Sequence, residues 1–333
     1  MTLSIIGSGK IVAEALPVIS STPDLTIRSL WARPHSIEHA RELAVPYGIP
    51  VVTSEYDDIL TDTDVDIVYI AIINSAHYNY ALRALKAGKH VILEKPACLC
   101  ARELRHLADV ALRRKLMLFE AVTLLHLPAF RLLREQLLPQ LGTIRHVECN
   151  YSQRSSRLES YLQGLVLPVF DPAAGGGALM DINVYNLHFT VALLGQPASA
   201  RYFCRRGPNG VDLSGTVVLT YASSQEKELD RFHAICTGSK DTDAPSFGLI
   251  QGDEGWLLIE GPVSTMASIT ISLHGQKPCR VALEPVSHRM KPEFCAFTSL
   301  IANQNFNSAH HLLSHSIAVL DVIDSLQKSS EKH

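Results

Sequence analysis

The chain has 333 residues, 47% of them hydrophobic and 19% charged, with a formal net charge of −3. A length of that order predicts two domains. Acidic and basic residues are interspersed, with no basic tract and no acidic tail, which argues against nucleic acid and membrane surfaces as partners. No apolar run approaches the ~18 residues of a membrane span.

The first half alternates strand-like and helix-like stretches. Thr2–Ile6 reads as a buried strand rather than a signal peptide, because it meets glycine at once and has no basic leader. Gly7-Ser8-Gly9 follows, then a helical stretch to about residue 19. Residues 25–32 are a second strand and 36–47 a helix. Val51–Thr53 is a short strand and 56–60 a short helix. Residues 66–73 form a near-continuous apolar run, as expected of a strand covered on both faces. A helix over 78–87 stops at Gly88, and 90–93 is the next strand. This alternation predicts an α/β Rossmann domain, a doubly wound parallel sheet, over residues 1–120.

The pattern changes near residue 120. A helix is expected over 128–138, a strand over 144–153 and a single helix over 177–194. Residues 198–283 are mainly strand-like, and helices close the chain at 292–301 and 309–327. The reading for 121–333 is an α+β domain with a mostly antiparallel sheet that binds substrate and mediates oligomerisation, its last helices free to pack back on the first domain. A sheet with helices on one face needs its other face covered, so a homodimer or homotetramer is expected. Val217, Leu219 and Tyr221 are candidates for that open face.

Gly7-Ser8-Gly9-Lys10-Ile11-Val12 sits where the first strand turns into the first helix. Glycine permits the tight turn and lets backbone N–H groups approach a pyrophosphate at the helix N-terminus. Gly7, Ser8, Gly9, Lys10 and Ile11 are therefore candidate cofactor contacts. The second strand runs out into Arg33, where an NAD site usually carries an acid for the ribose 2′-OH. Arginine suits a 2′-phosphate, so NADP is expected ahead of NAD. A solvated surface arginine is the plainer alternative.

Three further segments carry a resemblance: Ala71-Ile72-Ile73-Asn74-Ser75-Ala76-His77; Ala87-Gly88-Lys89-His90-Val91-Ile92-Leu93-Glu94-Lys95-Pro96; and Gly175-Gly176-Gly177-Ala178-Leu179-Met180-Asp181-Ile182-Asn183-Val184-Tyr185. Together they resemble, in order and spacing, the family named for glucose–fructose oxidoreductase, inositol dehydrogenase and MocA. Ile72 and Ile73 replace its Thr and Pro, and Asn183 replaces a glycine. The resemblance implies that Lys95 lies beside the nicotinamide and the substrate hydroxyl, that Asp181 orients the catalytic group, and that Tyr185 handles the proton. It also implies cofactor contacts at Ala71, Asn74, His77, Glu94 and Lys95. Helical spacing puts Asp181, Tyr185 and His188 on one face, which makes His188 the competing catalytic candidate. Phe119-Glu120-Ala121 resembles the dihydrodiol-dehydrogenase branch, but the residues that follow depart from it.

Tyr151-Ser152-Gln153-Arg154-Ser155-Ser156-Arg157 ends a strand with hydroxyls and guanidinium groups. Arg154 and Arg157 are candidates for binding a sugar or its acid, with His126 and Asn183 as further substrate contacts. No metal site is expected: His311 and His315 have ligand spacing, but there is no H-E-x-x-H motif and no clustered acid. Seven cysteines without a C-x-x-C pair point to reduced thiols in a cytoplasm. The reading is an NAD(P)-dependent oxidoreductase of a sugar, polyol or similar small molecule. Its rivals are a non-catalytic cofactor-sensing regulator and a dihydrodiol-type reductase.

Overall fold

Short apolar runs separated by amphipathic stretches build the N-terminal sheet. In the computed structural model, which describes residues 1–221 and 231–330, β1 (Thr2–Ile6) leads into α1 (Lys10–Ser20) and β2 (Thr26–Trp31) into α2 (Ile37–Ala44). β3 (Val51–Thr53) leads into α3 (Tyr56–Thr61), β4 (Ile67–Ile70) into α4 (His77–Lys86), and β5 (His90–Glu94) into α5 (Ala101–Arg113) and β6 (Leu118–Ala121). The strands pair in parallel in the order β3-β2-β1-β4-β5-β6. This is the doubly wound order, whose reversal between β1 and β4 opens a crevice at the carboxyl ends of the strands.

Two details differ from the sequence reading. The apolar run after residue 66 continues to Ile73, but pairing stops at Ile70: the Ala71 N–H still reaches Ile6 O at 2.8 Å, and the chain then turns into a short 3₁₀ turn at Asn74–Ala76. Elements α5 and β6 were not anticipated. The signal for α5 was present, since its buried Ala101, Leu104, Leu107, Val110 and Ala111 recur three or four apart.

The second half opens with α6 (Pro128–Leu132), which passes through a π turn at Leu133–Leu137 and a 3₁₀ turn at Leu138–Leu141. β7 (Ile144–Ser152) and α7 (Leu158–Leu162) follow. The helix expected as one piece over 177–194 begins with a π turn at Leu179–Asn183 and becomes regular only in α8 (Val184–Leu194). Then come β8 (Ser199–Arg206), β9 (Asp212–Tyr221), β10 (Phe232–Ser239), β11 (Phe247–Gly252), β12 (Gly255–Glu260), β13 (Ser268–Leu273) and β14 (Cys279–Arg280). They join β7 in an eight-stranded sheet of order β14-β13-β12-β11-β7-β10-β9-β8, antiparallel except where β10 runs parallel to β7.

Helix α8 packs on one face of that sheet, where Thr190 meets Cys236 and the Tyr221 hydroxyl donates to Gly195 O at 3.1 Å. Val217, Leu219 and Tyr221 are buried on this covered face, not on the open one expected from sequence. Strand residues alternate sides, so the open face instead carries their half-buried neighbours. Val218, Ile235, Leu249 and Leu258 lie in one row across it, through Glu148 of β7.

The chain ends in α9 (Lys291–Ala302) and α10 (Phe306–Ser330). By contact density it forms two units: Met1–Val122 with Val286–Ile317, and Thr123–Pro285 with the chain from Ala318. In the first unit α9 packs on the parallel sheet, with Phe294 edge-on to Tyr69 at 5.3 Å and Phe297 stacked on Phe119 at 4.6 Å. Glu293 is buried on the same helix, and neither of its carboxyl oxygens meets a hydrogen-bond donor among the described residues. Burial, followed by the nearby charge of Glu94, holds its carboxyl well above the usual range.

Candidate active site

The first cluster lies at the carboxyl ends of β1 and β4. Gly7 has φ +130°, and a Cβ there would come within 2.3 Å of the Ala71 carbonyl oxygen, so only glycine fits. Its N–H donates to Trp31 O at 2.9 Å, tying the turn to the end of β2. Helix α1 starts at Gly9 with no side-chain cap, and a Cβ on Gly9 would meet nothing within 4 Å. Backbone N–H groups at such a terminus suit a phosphate. Ser8, Lys10 and Ile11 border this turn, with Lys10 exposed. Arg33 is also exposed, two residues beyond β2.

The second cluster is the turn after β5. Lys95 is half-buried, and the Lys95–Pro96 bond is cis. Two side chains brace the peptide group between Pro96 and Ala97, just after Lys95. His77 Nδ1 lies 3.0 Å from Pro96 O and its Nε2 3.1 Å from Ile72 O. Glu120 Oε1 accepts from the Ala97 N–H at 2.7 Å. Burial holds His77 below the usual histidine range and Glu120 above the usual carboxyl range. His77 is fully buried between two loops, while Glu94 turns inward and accepts from the Tyr69 hydroxyl at 2.6 Å. Ala71 contributes its carbonyl against Gly7, and half-buried Asn74 opens the 3₁₀ turn that follows.

The third cluster belongs to the second unit. Gly177 has φ +114°, and a Cβ on it would strike Asp212 Oδ1 at 2.0 Å. The same carboxylate accepts from Leu179 N–H and from the Tyr202 hydroxyl, both at 2.6 Å, and so anchors the start of the helix. Asp181 sits inside the π turn, a distortion often found at functional sites. It forms an ion pair with Lys240, a buried residue just beyond β10. Tyr185 is half-buried, its ring 6.2 Å from that of Tyr151 on β7. The extra residue in the π turn bends the simple helical spacing: Asp181 and Tyr185 stay half-buried while His188 is inside, 1% exposed.

The proposed substrate contacts divide. Asn183 is buried and committed to β10: its Nδ2 donates to Cys236 O at 2.9 Å and its Oδ1 accepts from Asn186 Nδ2 at 2.9 Å. These bonds anchor the start of the helix to β10. The glycine usual at this place is unnecessary because Gly238 leaves room, its own Cβ position lying 2.7 Å from the Asn183 Cβ. His126 ends a 3₁₀ turn that packs on α8, and burial pushes it down to about 4, so it is neutral at physiological pH. Arg154 pairs with Glu159, and its N–H donates to Asp243 Oδ1 at 2.8 Å; exposed Arg157 precedes α7. Among the described residues, no group of three or more His, Cys, Asp or Glu side chains is placed to hold a metal. No described helix is long and apolar enough to cross a membrane.

Residues 1–122 match the profile of an oxidoreductase family with an NAD-binding Rossmann fold, and residues 135–257 match the Gfo/Idh/MocA C-terminal domain. The chain belongs to the Gfo/Idh/MocA oxidoreductase family. Its similarity to scyllo-inositol 2-dehydrogenase (NADP⁺) IolU of Bacillus subtilis is 28% identity, over 98% of this chain and 95% of that one. The oxidoreductase YgjR of Escherichia coli is 32% identical over 77% of this chain and 75% of its own. A crystal structure of KijD10, a 3-ketoreductase from Actinomadura kijaniata, in complex with NADP and TDP-benzene, superposes with a TM-score of 0.84 at 22% identity, over 98% and 97% of the two chains, which shows a shared fold.

Two residues of this Gfo/Idh/MocA chain escaped the sequence reading. Glu120 belonged to a motif, but its bond to the Lys95 turn spans 23 positions. Lys240 lies 59 positions from Asp181, and nothing local distinguishes it from a surface lysine at a strand end.

Proposed function

We propose that this oxidoreductase transfers hydride between NADP and a hydroxyl- or carbonyl-bearing carbon of a sugar, polyol or similar small molecule. In this reading residues 1–120 bind the cofactor and residues 121–333 bind the substrate, with residues 286–317 packed back into the first unit. The first unit suits a dinucleotide, since a glycine turn meets an uncapped helix N-terminus beside an exposed arginine. The nicotinamide supplies or takes up the hydride at C4. Lys95 and Tyr185 handle the proton on the substrate oxygen, Asp181 orients the proton-handling group, and Arg154 and Arg157 bind substrate oxygens.

The observation that carries this reading is the braced turn at Lys95. A solvated surface lysine needs no buried histidine and buried glutamate holding the Pro96–Ala97 peptide group that follows it. The name of the B. subtilis relative supports both the polyol and the NADP assignment. Membership of an oxidoreductase family favours turnover over a purely sensing role. A screen of sugars, inositols and their acids, followed at the nicotinamide absorbance, tests it. Turnover of at least one polyol with NADP⁺, or of its ketone with NADPH, is expected; no turnover across the panel would refute the substrate class.

The cofactor preference rests on Arg33, which stands where NAD enzymes carry an acid. A hydrogen bond to a charged group is worth about 1.5–3 kcal/mol. Arg33→Ala is therefore expected to weaken NADPH at least about tenfold and NADH little, measured by calorimetry. Equal affinity for the two cofactors in the parent protein would remove the NADP assignment.

The open face of the eight-stranded sheet supports self-association. Val218, Ile235, Leu249, Trp256 and Leu258 are all half-buried there in the isolated chain. A second copy of the chain is the proposed cover, giving a homodimer or a dimer of dimers. Light scattering at micromolar concentration should return at least twice the chain mass. The monomer mass would contradict the proposal. Seven free cysteines support a cytoplasmic setting.

A further inference from the structure

Lys240 lies inside the protein at 3% exposure, one of two buried lysines among the described residues. Its backbone is fixed on both sides: its N–H donates to Leu213 O at 2.8 Å, and its carbonyl accepts from the Ser155 N–H at 2.8 Å. The side chain crosses the ring of Phe170, with Nζ 5.1 Å from the centroid. Phe170 is fully buried in a small cluster with Leu158, Tyr161, Val211 and Leu213. At its end the ammonium donates to Val169 O at 3.1 Å and pairs with Asp181 Oδ2.

This arrangement is costly unless the charge is used. A buried ammonium loses its hydration, a loss that its ion pair, the Val169 carbonyl and the Phe170 ring have to offset. An apolar residue lying against Phe170 would serve packing equally well. The Val169 carbonyl has a second donor, the Gly177 N–H at 3.1 Å, so Lys240 ties the glycine turn and the Asp181 carboxylate to one point. Asp181 itself lies in the π turn, a distortion frequent at functional sites. The Asp181 side chain remains 35% exposed, so one side is clamped while the rest stays accessible.

We infer that Lys240 is a positioning residue for the reaction: it fixes the rotamer of Asp181 from inside the second unit and balances its charge, without itself touching substrate. This rests on the proposed role of Asp181. The test is a double-mutant cycle on the full-length enzyme with a substrate from the polyol screen, using Asp181→Asn, Lys240→Met and both together. Asp181→Asn should lower kcat by at least about tenfold. Lys240→Met should lower kcat by a similar factor, with KM for the cofactor within about threefold of the parent. The double variant should be no slower than Asp181→Asn by more than about twofold, because Lys240 has nothing left to position. Removing one partner of a buried pair is destabilising, whereas removing both is tolerated better. If Lys240→Met does not accumulate folded, Lys240→Gln, a shorter neutral donor, takes its place in the cycle.

The outcomes separate the two claims. A normal kcat in Asp181→Asn overturns the role of Asp181 and the inference with it. A slow Asp181→Asn beside a normal Lys240→Met overturns the inference alone. So do multiplicative losses in the double variant, which would show Lys240 acting independently of Asp181.

Discussion

Lys95→Met is expected to abolish measurable turnover while leaving NADPH affinity within about threefold. Methionine keeps an unbranched stem of similar length and removes only the ammonium. The turn itself is held by other groups, the His77 ring on Pro96 O and the Glu120 carboxylate on the Ala97 N–H, so the backbone should stay in place. In the proposed reading cofactor binding draws mainly on the glycine turn and Arg33, which the substitution does not touch. Thermal unfolding should therefore match the parent, while kcat falls to the limit of detection. A loss of less than about tenfold, which is roughly 1.4 kcal/mol in barrier, would show that Lys95 is not central. Stopped-flow measurement of a single turnover would separate a lost chemical step from slow product release.

Tyr185→Phe is expected to lower kcat by about 10²–10⁴-fold, the usual range for loss of a general acid or base. The ring is retained against Tyr151, 6.2 Å away between centroids, so packing should survive. Affinity for the cofactor should change little. His188→Ala is the control. His188 is buried in α8, and its truncation leaves a void, so a lowered melting temperature with a smaller kinetic effect is expected. A near-normal Tyr185→Phe enzyme beside a folded but inactive His188→Ala enzyme would transfer the proton-handling role to the histidine.

Local patterns made much of this protein legible. The strand–glycine–helix start, Arg33 after β2 and the Glu94-Lys95-Pro96 turn are contiguous segments, and each states its own backbone requirement. Gly7 is an example: the tight turn read from sequence is the place where a Cβ would collide with Ala71 O. Alternation of elements predicted the doubly wound sheet, and the observed strand order agrees with it. The strand-rich second half also folded as a mostly antiparallel sheet.

Direction was harder to read than existence. Asn183 was taken for a substrate contact, yet its amide is spent on Cys236 O and Asn186. Val217, Leu219 and Tyr221 were placed on the open face of the sheet and lie under α8 instead. In a strand, the side facing a helix differs by a single residue from the side facing away, and periodicity is the same for both. The π turn at Leu179–Asn183 left no mark in the pattern, although it sets where Asp181 points.

The amino-acid sequence by itself thus determined the sheet class, the glycine turn and the family, because each depends on neighbours within one strand, turn or helix. Tertiary structure alone decided which faces are covered and which polar groups are spent inside. It brought Glu120 to the Lys95 turn across 23 positions and Lys240 to Asp181 across 59. Such pairings follow from strand order and helix docking, and a buried charge finds its partner only once the chain has closed around both.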